Sequence, residues 1–421
     1  MTQSETAKPG TAKPGTAKPS ETQAKPAEII HAPPFSQALM QELLSAYGSP
    51  LYVYQGDRLC QTLDHITRSV DYPHTQFHFA SVTNGNVALL QIIRQKGWGL
   101  HANTPGDVFL GLQAGFLPTQ IVYSGSNLSR EDLEQLIRWD IHRFNLDSLS
   151  QLRLFGDCSV ARSPTPALGL RLNAPELTGE SRIGIRPAEF EEACAIAQQY
   201  GLTLTGLHFY RGTGTNATAA FTQVIDQVIA IAQRLPHWQM LDFGGGFGYP
   251  YRSGAAFDWP EFGAAMRQKL AALSRPIELV IEPGRAVIAG CGVLLAQVVA
   301  VKWQGDRQIV GVDTTVANLS VPAVHGGYRA ITTWVSGSSR HPTDICGNTT
   351  YSRDYLGRGC ELPMLKVGDV VAILDSGAYG YAMSSHFLHR PRPAEVLVAA
   401  NDHRLIRERE DYSILLNGQK F

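Results

Sequence analysis

Leu241-Asp-Phe-Gly-Gly-Gly-Phe-Gly248 runs from a short stretch of strand character straight into consecutive glycines. Without Cβ atoms in the way, successive backbone N–H groups can converge on an anion, and a late strand of a parallel barrel that ends in such a loop is a common phosphate site. A tight turn with no ligand explains the same glycines equally well. What decides between fold classes is whether the run belongs to a repeating strand-helix pattern.

Working outward from it, the pattern is there. Between Pro50 and about Val287, strand-like stretches (Gln76 to Ser81, Gln120 to Ser124, Ala167 to Leu172, Thr203 to Phe209, Met240 to Phe243, Glu278 to Ile281) alternate with helix-like ones (Val87 to Lys96, Asp107 to Ala114, Arg130 to Arg138, Pro187 to Tyr200, Ala217 to Leu235, Trp259 to Leu273). Alternation over about 230 residues predicts one parallel α/β domain, with a closed (β/α)8 TIM barrel as first choice and a doubly wound sheet as second. After Gly290 the texture changes to strand-like runs, Gly292 to Trp303, Gln308 to Val312, Asp369 to Leu374 and Ala394 to Ala399, separated by Gly, Pro and Asn turns, which predicts a mostly antiparallel β domain. The expected division is a Thr/Ala/Lys/Pro-rich flexible tail over 1–30, a barrel over 55–288, and a β domain assembled from 31–54 and 289–421. Leu51 to Tyr54 taken alone fits either part.

Composition removes several function classes. Over 421 residues, 36 basic side chains face 37 acidic ones, so no long-range field favours nucleic acid or an anionic membrane as partner. Six cysteines with no CxxC or CxxH spacing argue against a zinc cluster or a disulfide framework, and no metal is expected. The longest apolar runs are too short and too broken by glycine to span a membrane, and the N-terminus lacks the basic-then-apolar order of a signal peptide, so a cytoplasmic protein is expected.

Three further segments carry chemistry-bearing residues. Ile281-Glu-Pro-Gly-Arg285 puts a carboxylate and a guanidinium at a strand end, where barrel active sites lie; the Arg could grip a phosphate, or the two could form a structural ion pair. Gly206-Leu-His-Phe-Tyr-Arg-Gly-Thr-Gly214 leaves a strand with aromatics and a hydroxyl among glycines, and its His208 reads more readily as a packed histidine than as a catalyst. Asp375-Ser-Gly-Ala-Tyr-Gly380, followed by Arg390-Pro-Arg-Pro-Ala-Glu395, is turn-rich, and Tyr379 can reach a phosphate or anchor a core.

Taken in this order, with Leu51-Tyr-Val-Tyr54 ahead of them, the segments resemble the fold-type III pyridoxal phosphate (PLP) enzymes of the diaminopimelate/ornithine/arginine decarboxylase family, over about residues 48–415. The C-terminal block looks most like diaminopimelate decarboxylases. The resemblance implies an alanine-racemase-like barrel, a C-terminal β domain, and a homodimer with shared active sites. It implies that Glu282 pairs with the pyridine nitrogen, that Gly244, Gly245, Gly246, Gly284, Arg285 and Tyr379 surround the phosphate, that Thr213 stands for a phosphate-binding Ser, and that Tyr210 replaces a His stacked on the cofactor ring.

Other positions depart from the pattern. The family's lysine lies in a Tyr-Ala-Val-Lys-Ala-Asn-type segment, which here reads Phe79-Ala-Ser-Val-Thr-Asn84, with Val82 at the lysine position and no lysine between Lys25 and Lys96. The Pro-Thr-Cys-Glu-Ser-Gly-Asp-like segment is matched by Asn348-Thr-Thr-Tyr-Ser-Arg-Asp354, so Thr350 replaces the cysteine and Tyr351 the acid, with Asp354 retained on the substrate side. An Arg-Pro-Ala-Leu-Tyr-Gly-like segment has become Val321-Pro-Ala-Val-His-Gly326, leaving His325 as the polar group there and no arginine for a distal carboxylate. The expectation is a chain that binds PLP, or a PLP–amino-acid adduct, non-covalently. Its ligand is then an amino acid other than diaminopimelate, with altered chemistry at Val82; a non-catalytic relative serving as a binding or regulatory partner is the alternative.

Overall fold

Eight parallel strands close into a ring in the computed structural model, which describes residues 31–421 apart from 160–165, 213, 253 and 401. The tail over 1–30 and Thr213 therefore lie outside the described residues. Strand β1 (Leu51–Gln55) precedes the ring. The ring itself is β2 (Thr75–Ala80), β3 (Gly99–Ala102), β4 (Ile121–Tyr123), β5 (Arg143–Leu146), β6 (Ala167–Arg171), β7 (Leu204–His208), β8 (Met240–Asp242) and β9 (Glu278–Ile281), paired in sequence order and closed by β2 on β9 at Phe77↔Ile281.

The TIM barrel expected from the alternation is thus the one observed. Two of its strands, β3 and β5, carry no adequate apolar signal: Gly99-Leu-His-Ala102 and Arg143-Phe-Asn-Leu146 are four residues each and include polar ones. Of these, His101 and Asn145 are buried because the barrel interior uses them, as the Asn145 Nδ2 that donates to Asp242 Oδ2 at 2.7 Å shows. The single helix expected over Ala217 to Leu235 is two, Ala219–Thr222 and Ile225–Ala232. At the break, the Val224 N–H bonds the Phe221 carbonyl three residues back, at 3.3 Å.

Helix starts follow local chemistry. Thr104 and Asp107 form a reciprocal capping box with Pro105 at the first turn, and Ser129 and Asp258 accept from the third residue of their helices. Behind β8, Phe247 stacks on Phe221 (centroids 4.8 Å apart) and packs on Trp259 (4.6 Å). The glycine loop is therefore nailed to the core through its one bulky residue.

The rest of the chain forms a nine-stranded sheet: β1 with β10 (Gly292–Gln304), β11 (Arg307–Val312), β12 (Ile331–Thr333), β13 (His341–Cys346), β14 (Tyr355–Leu362), β15 (Val370–Ile373), β16 (Ala394–Ala399) and β17 (Asp402–Arg407). Its pairings are antiparallel except β1 with β16 and β11 with β13. β1 lies between β10 and β16, which explains its unbroken apolar sequence, and the helix Gln37–Tyr47 packs Met40 and Leu43 against the same sheet.

The loop after β2 is tied to this sheet by buried polar contacts. Asn84 Nδ2 donates to the Gly377 carbonyl at 3.1 Å, Asn86 Nδ2 to Glu395 Oε2 at 2.8 Å, and the Tyr379 N–H to the Thr83 carbonyl at 2.9 Å. Glu395 also accepts from the Tyr54 hydroxyl at 2.6 Å. These bonds fix Tyr379 at the barrel mouth.

Candidate functional site

Four barrel strands carry a polar residue at or next to their C-terminal end: His101 on β3, Arg171 on β6, His208 on β7 and Asp242 on β8. With Glu282 just past β9 they meet at the C-terminal end of the barrel, around a cavity of about 280 Å³. Val82, Thr83, Tyr210, Gly245, Gly246, Gly284 and Arg285 are among the barrel residues that also line it, and Tyr379 comes from the β sheet unit.

Glu282 is the centre of the arrangement. Its Oε2 lies 3.4 Å from His101 Nε2 and 3.3 Å from His208 Nε2, and among the described residues its buried Oε1 has no hydrogen-bond partner and neither imidazole is hydrogen-bonded. Burial holds both histidines well below their ordinary pKa, His208 at about 4, so the contacts with Glu282 are made by neutral rings and are not ion pairs. Burial likewise raises Glu282 and Asp242. The negative charge of Glu282 pushes Asp242 up further, whereas a hydrogen bond with Asp242 and the charge of Arg171 pull Glu282 down, so the two carboxyls titrate as a coupled pair. Asp242 in turn accepts from the Gly244 N–H at 3.0 Å and from Asn145.

One side of the cavity is a cradle. Gly246 has φ +95° and a Cβ there would run into the Gly212 carbonyl; a Cβ on Gly245 would stand 2.7 Å from the Glu282 carbonyl oxygen. Arg285 opens a short helix facing these glycines, its guanidinium carbon 5.0 Å from the Tyr379 ring and 5.9 Å from that of Tyr251. Tyr379 itself sits at φ +57°, an uncommon conformation for a bulky residue, and is held there by its bond to Thr83. On the other side Arg171 lies 5.2 Å over the Tyr210 ring. Val82, in the turn Ser81–Thr83, is 45% exposed, and no lysine is among the residues lining the cavity.

The structure brings together Val82, Tyr210, Gly245, Gly246, Glu282, Gly284, Arg285 and Tyr379 of the residues singled out in the sequence. Gly244 stands behind the wall, its carbonyl accepting from the Glu282 N–H at 2.8 Å. His325 and Thr350 are exposed and Tyr351 packs edge-on against Phe387, all outside this cavity. Asp354 is buried with its carboxylate closing its own loop, accepting from the Val316 N–H at 2.7 Å, from the Thr315 hydroxyl at 3.2 Å, and from Thr349. Sequence reasoning missed His101, Arg171 and Asp242, and left His208 as a packed residue. The signal that finds Arg171, His208 and Asp242 is a polar residue closing an apolar barrel strand; His101 sits one residue before the end of β3, a strand that the sequence pattern does not reveal.

Comparison with known proteins agrees with this fold. The family described as pyridoxal-dependent decarboxylase, pyridoxal binding domain, matches residues 60–289. The diaminopimelate decarboxylase of Methanothermobacter thermautotrophicus is 32% identical over 401 residues, covering 90% of this chain and 93% of that protein. That of Vibrio cholerae is 30% identical over 397 residues, covering 90% and 94%. Among solved structures, the Helicobacter pylori diaminopimelate decarboxylase complexed with L-lysine shares the fold with a TM-score of 0.84 at 24% identity, covering 90% of this chain and 98% of that one.

Proposed function

The chain belongs to the pyridoxal-dependent decarboxylase family, and from that premise we propose that it binds PLP without a covalent anchor and acts on an amino acid other than diaminopimelate. The observation that carries this is the cavity itself: groups suited to the cofactor's ring nitrogen and phosphate, and a valine where the resemblance places the lysine. An unpartnered, buried Glu282 oxygen calls for a donor, and a protonated ring nitrogen is one. Gly245 and Gly246 leave the opposite wall without Cβ atoms, where Arg285 and Tyr379 add a guanidinium and a phenol suited to a phosphate.

When bound, PLP supplies an electron sink for bonds broken at the amino acid's α-carbon. The chain's own residues bind and orient. Glu282 holds the ring nitrogen's proton, Tyr210 offers a ring face braced by Arg171, and the glycine cradle with Arg285 fixes the phosphate end. Val82 carries no amine to exchange imines or move a proton, so whatever chemistry occurs lacks that aid, which in such sites is commonly worth several orders of magnitude in rate. Non-catalytic ligand binding is the second reading, and the same valine favours it. Turnover of a broad amino-acid panel by PLP-loaded protein separates the two.

Two results are expected of the purified chain. PLP should bind as the free aldehyde, leave on dialysis, and remain unattached after borohydride; covalent fixation to a lysine of the unmodified chain would defeat the reading. Carbon dioxide release from meso-diaminopimelate should stay far below an ordinary turnover of about 1 s⁻¹, because Val82, Val321, Thr350 and Tyr351 all depart from the resembled pattern. Turnover at that rate would reject the substrate assignment while leaving PLP binding intact. A homodimer with shared sites is part of the same proposal, and sedimentation tests it. Among the described residues no helix is long and apolar enough to cross a membrane.

A further inference from the structure

A second cavity, of about 320 Å³, lies beside the first and is lined by four arginines, Arg252, Arg329, Arg353 and Arg358, with no aspartate or glutamate in its wall. Three of them rest on aromatic rings: Arg252 at 4.4 Å over Tyr328, Arg358 at 3.6 Å over Tyr355, and Arg329 at 3.8 Å over Tyr251. None forms a salt bridge among the described residues.

Arg329 is the telling one. It is only 3% exposed, yet its Nε and Nη2 have no hydrogen-bond partner, its single bond being from Nη1 to the Tyr328 carbonyl at 2.7 Å. A buried guanidinium with two empty donor positions is costly unless an anion completes it. Arg353 and Arg358 come from the segment before and along β14, Arg252 from the loop after β8, and Pro322 and Ala323 from the segment that begins at Val321. The cavity thus draws on two of the segments compared above, 321–326 and 348–354, together with the loop after β8 and β14 itself. Four guanidiniums and no carboxylate suit a multiply charged group with several acceptor oxygens, which a phosphoryl group supplies and a lone carboxylate does not.

We propose that this cavity binds the phosphoryl end of a small organic phosphate, with Arg329 in its wall and Arg252, Arg353 and Arg358 at its rim. The site is separate from the cofactor cradle, the two cavities sharing no lining residue although Arg329 and Arg285 both lie by the Tyr251 ring, and it stands whether or not PLP occupies the barrel.

The test is calorimetric titration of the PLP-saturated full chain with inorganic pyrophosphate. One equivalent should bind, with affinity falling steeply as salt rises. Arg353→Gln combined with Arg358→Gln changes exposed residues and should weaken binding about tenfold or more; Arg329→Met should weaken it further. No uptake by the parent chain, or equal uptake by the double variant, overturns the proposal. So does a double variant that dissociates into monomers while the parent takes no pyrophosphate, because the arginines then serve a subunit contact. If the chain fails to bind PLP, the preceding reading falls but this one does not, since parent and double variant are compared in the same way without it.

Discussion

Val82→Lys is expected to convert reversible uptake of PLP into covalent retention: after borohydride and denaturation, mass spectrometry should find close to one cofactor per chain in the variant and none in the parent. Val82 follows β2, which pairs with β9, the strand that ends one residue before Glu282, and it lines the cavity. A lysine there extends into the space between the Glu282 carboxyl and the glycine cradle. Lost hydration in that cavity, together with the positive charge of Arg171 and Arg285, would lower the lysine's pKa and favour the neutral nucleophile. Folding should tolerate the change, since Val82 is 45% exposed and gives up little buried surface, which places the cost within about 0.5 kcal/mol. A folded variant that takes up PLP without becoming labelled would show that the turn at 81–83 does not stand where the resemblance puts the anchoring lysine. A variant that is labelled but decarboxylates no amino acid would locate the remaining change on the substrate side.

How far the sequence reaches depends on what kind of signal each residue leaves. The barrel is legible because six of its strands are apolar runs ending at glycine or a polar residue, and the cofactor side is legible because glycines 244–246, Glu282 and Arg285 lie in two contiguous segments. β3 and β5 are not, because the polar side chains that make the interior chemically useful, His101 and Asn145, erase the apolar pattern of four-residue strands. The cluster around Glu282 is assembled from β3, β6, β7, β8 and β9, whose ends lie up to about 180 positions apart in the chain, and no local pattern reports that they converge. Asp354 shows the opposite difficulty. A retained acid in a site-like segment invites a role toward a ligand, yet its oxygens are engaged by Thr315, Val316 and Thr349, and that engagement depends on the fold of a loop that sequence spacing does not reveal. The arginine-lined cavity is invisible to sequence for the same reason, since its four arginines are spread from 252 to 358.

Glu282→Gln should have opposite effects on the empty and the loaded protein. The groups packed around Glu282 are His101, Arg171, His208 and Asp242; the two histidines are neutral at pH 7, burial holds Asp242 well above its ordinary range, and Arg171 offsets the charge of Glu282 only in part. Burial therefore leaves the folded carboxyl holding its proton to higher pH than the unfolded one, whose ordinary value is about 4.3. The folded state binds more protons than the unfolded state across that window, so the stability of the empty protein falls as pH rises past the unfolded value, and goes on falling until the folded carboxyl has ionised. A glutamine of the same shape has no charge to bury. At pH 8 the empty variant should therefore be the more stable by an amount on the order of 1–3 kcal/mol, with the difference shrinking toward pH 5, as thermal unfolding at the two pH values will show. PLP affinity should move the other way, weakening by about 10- to 100-fold, because a charge-assisted hydrogen bond to the ring nitrogen becomes a neutral one. With PLP in excess, the parent should regain the lead in melting temperature, since ligand that binds only the folded state stabilises it in proportion to its affinity. An empty variant less stable than the parent at pH 8 would mean that Glu282 supports the barrel through its charge. In that case the unpartnered oxygen at the heart of the cavity is not kept for a ligand.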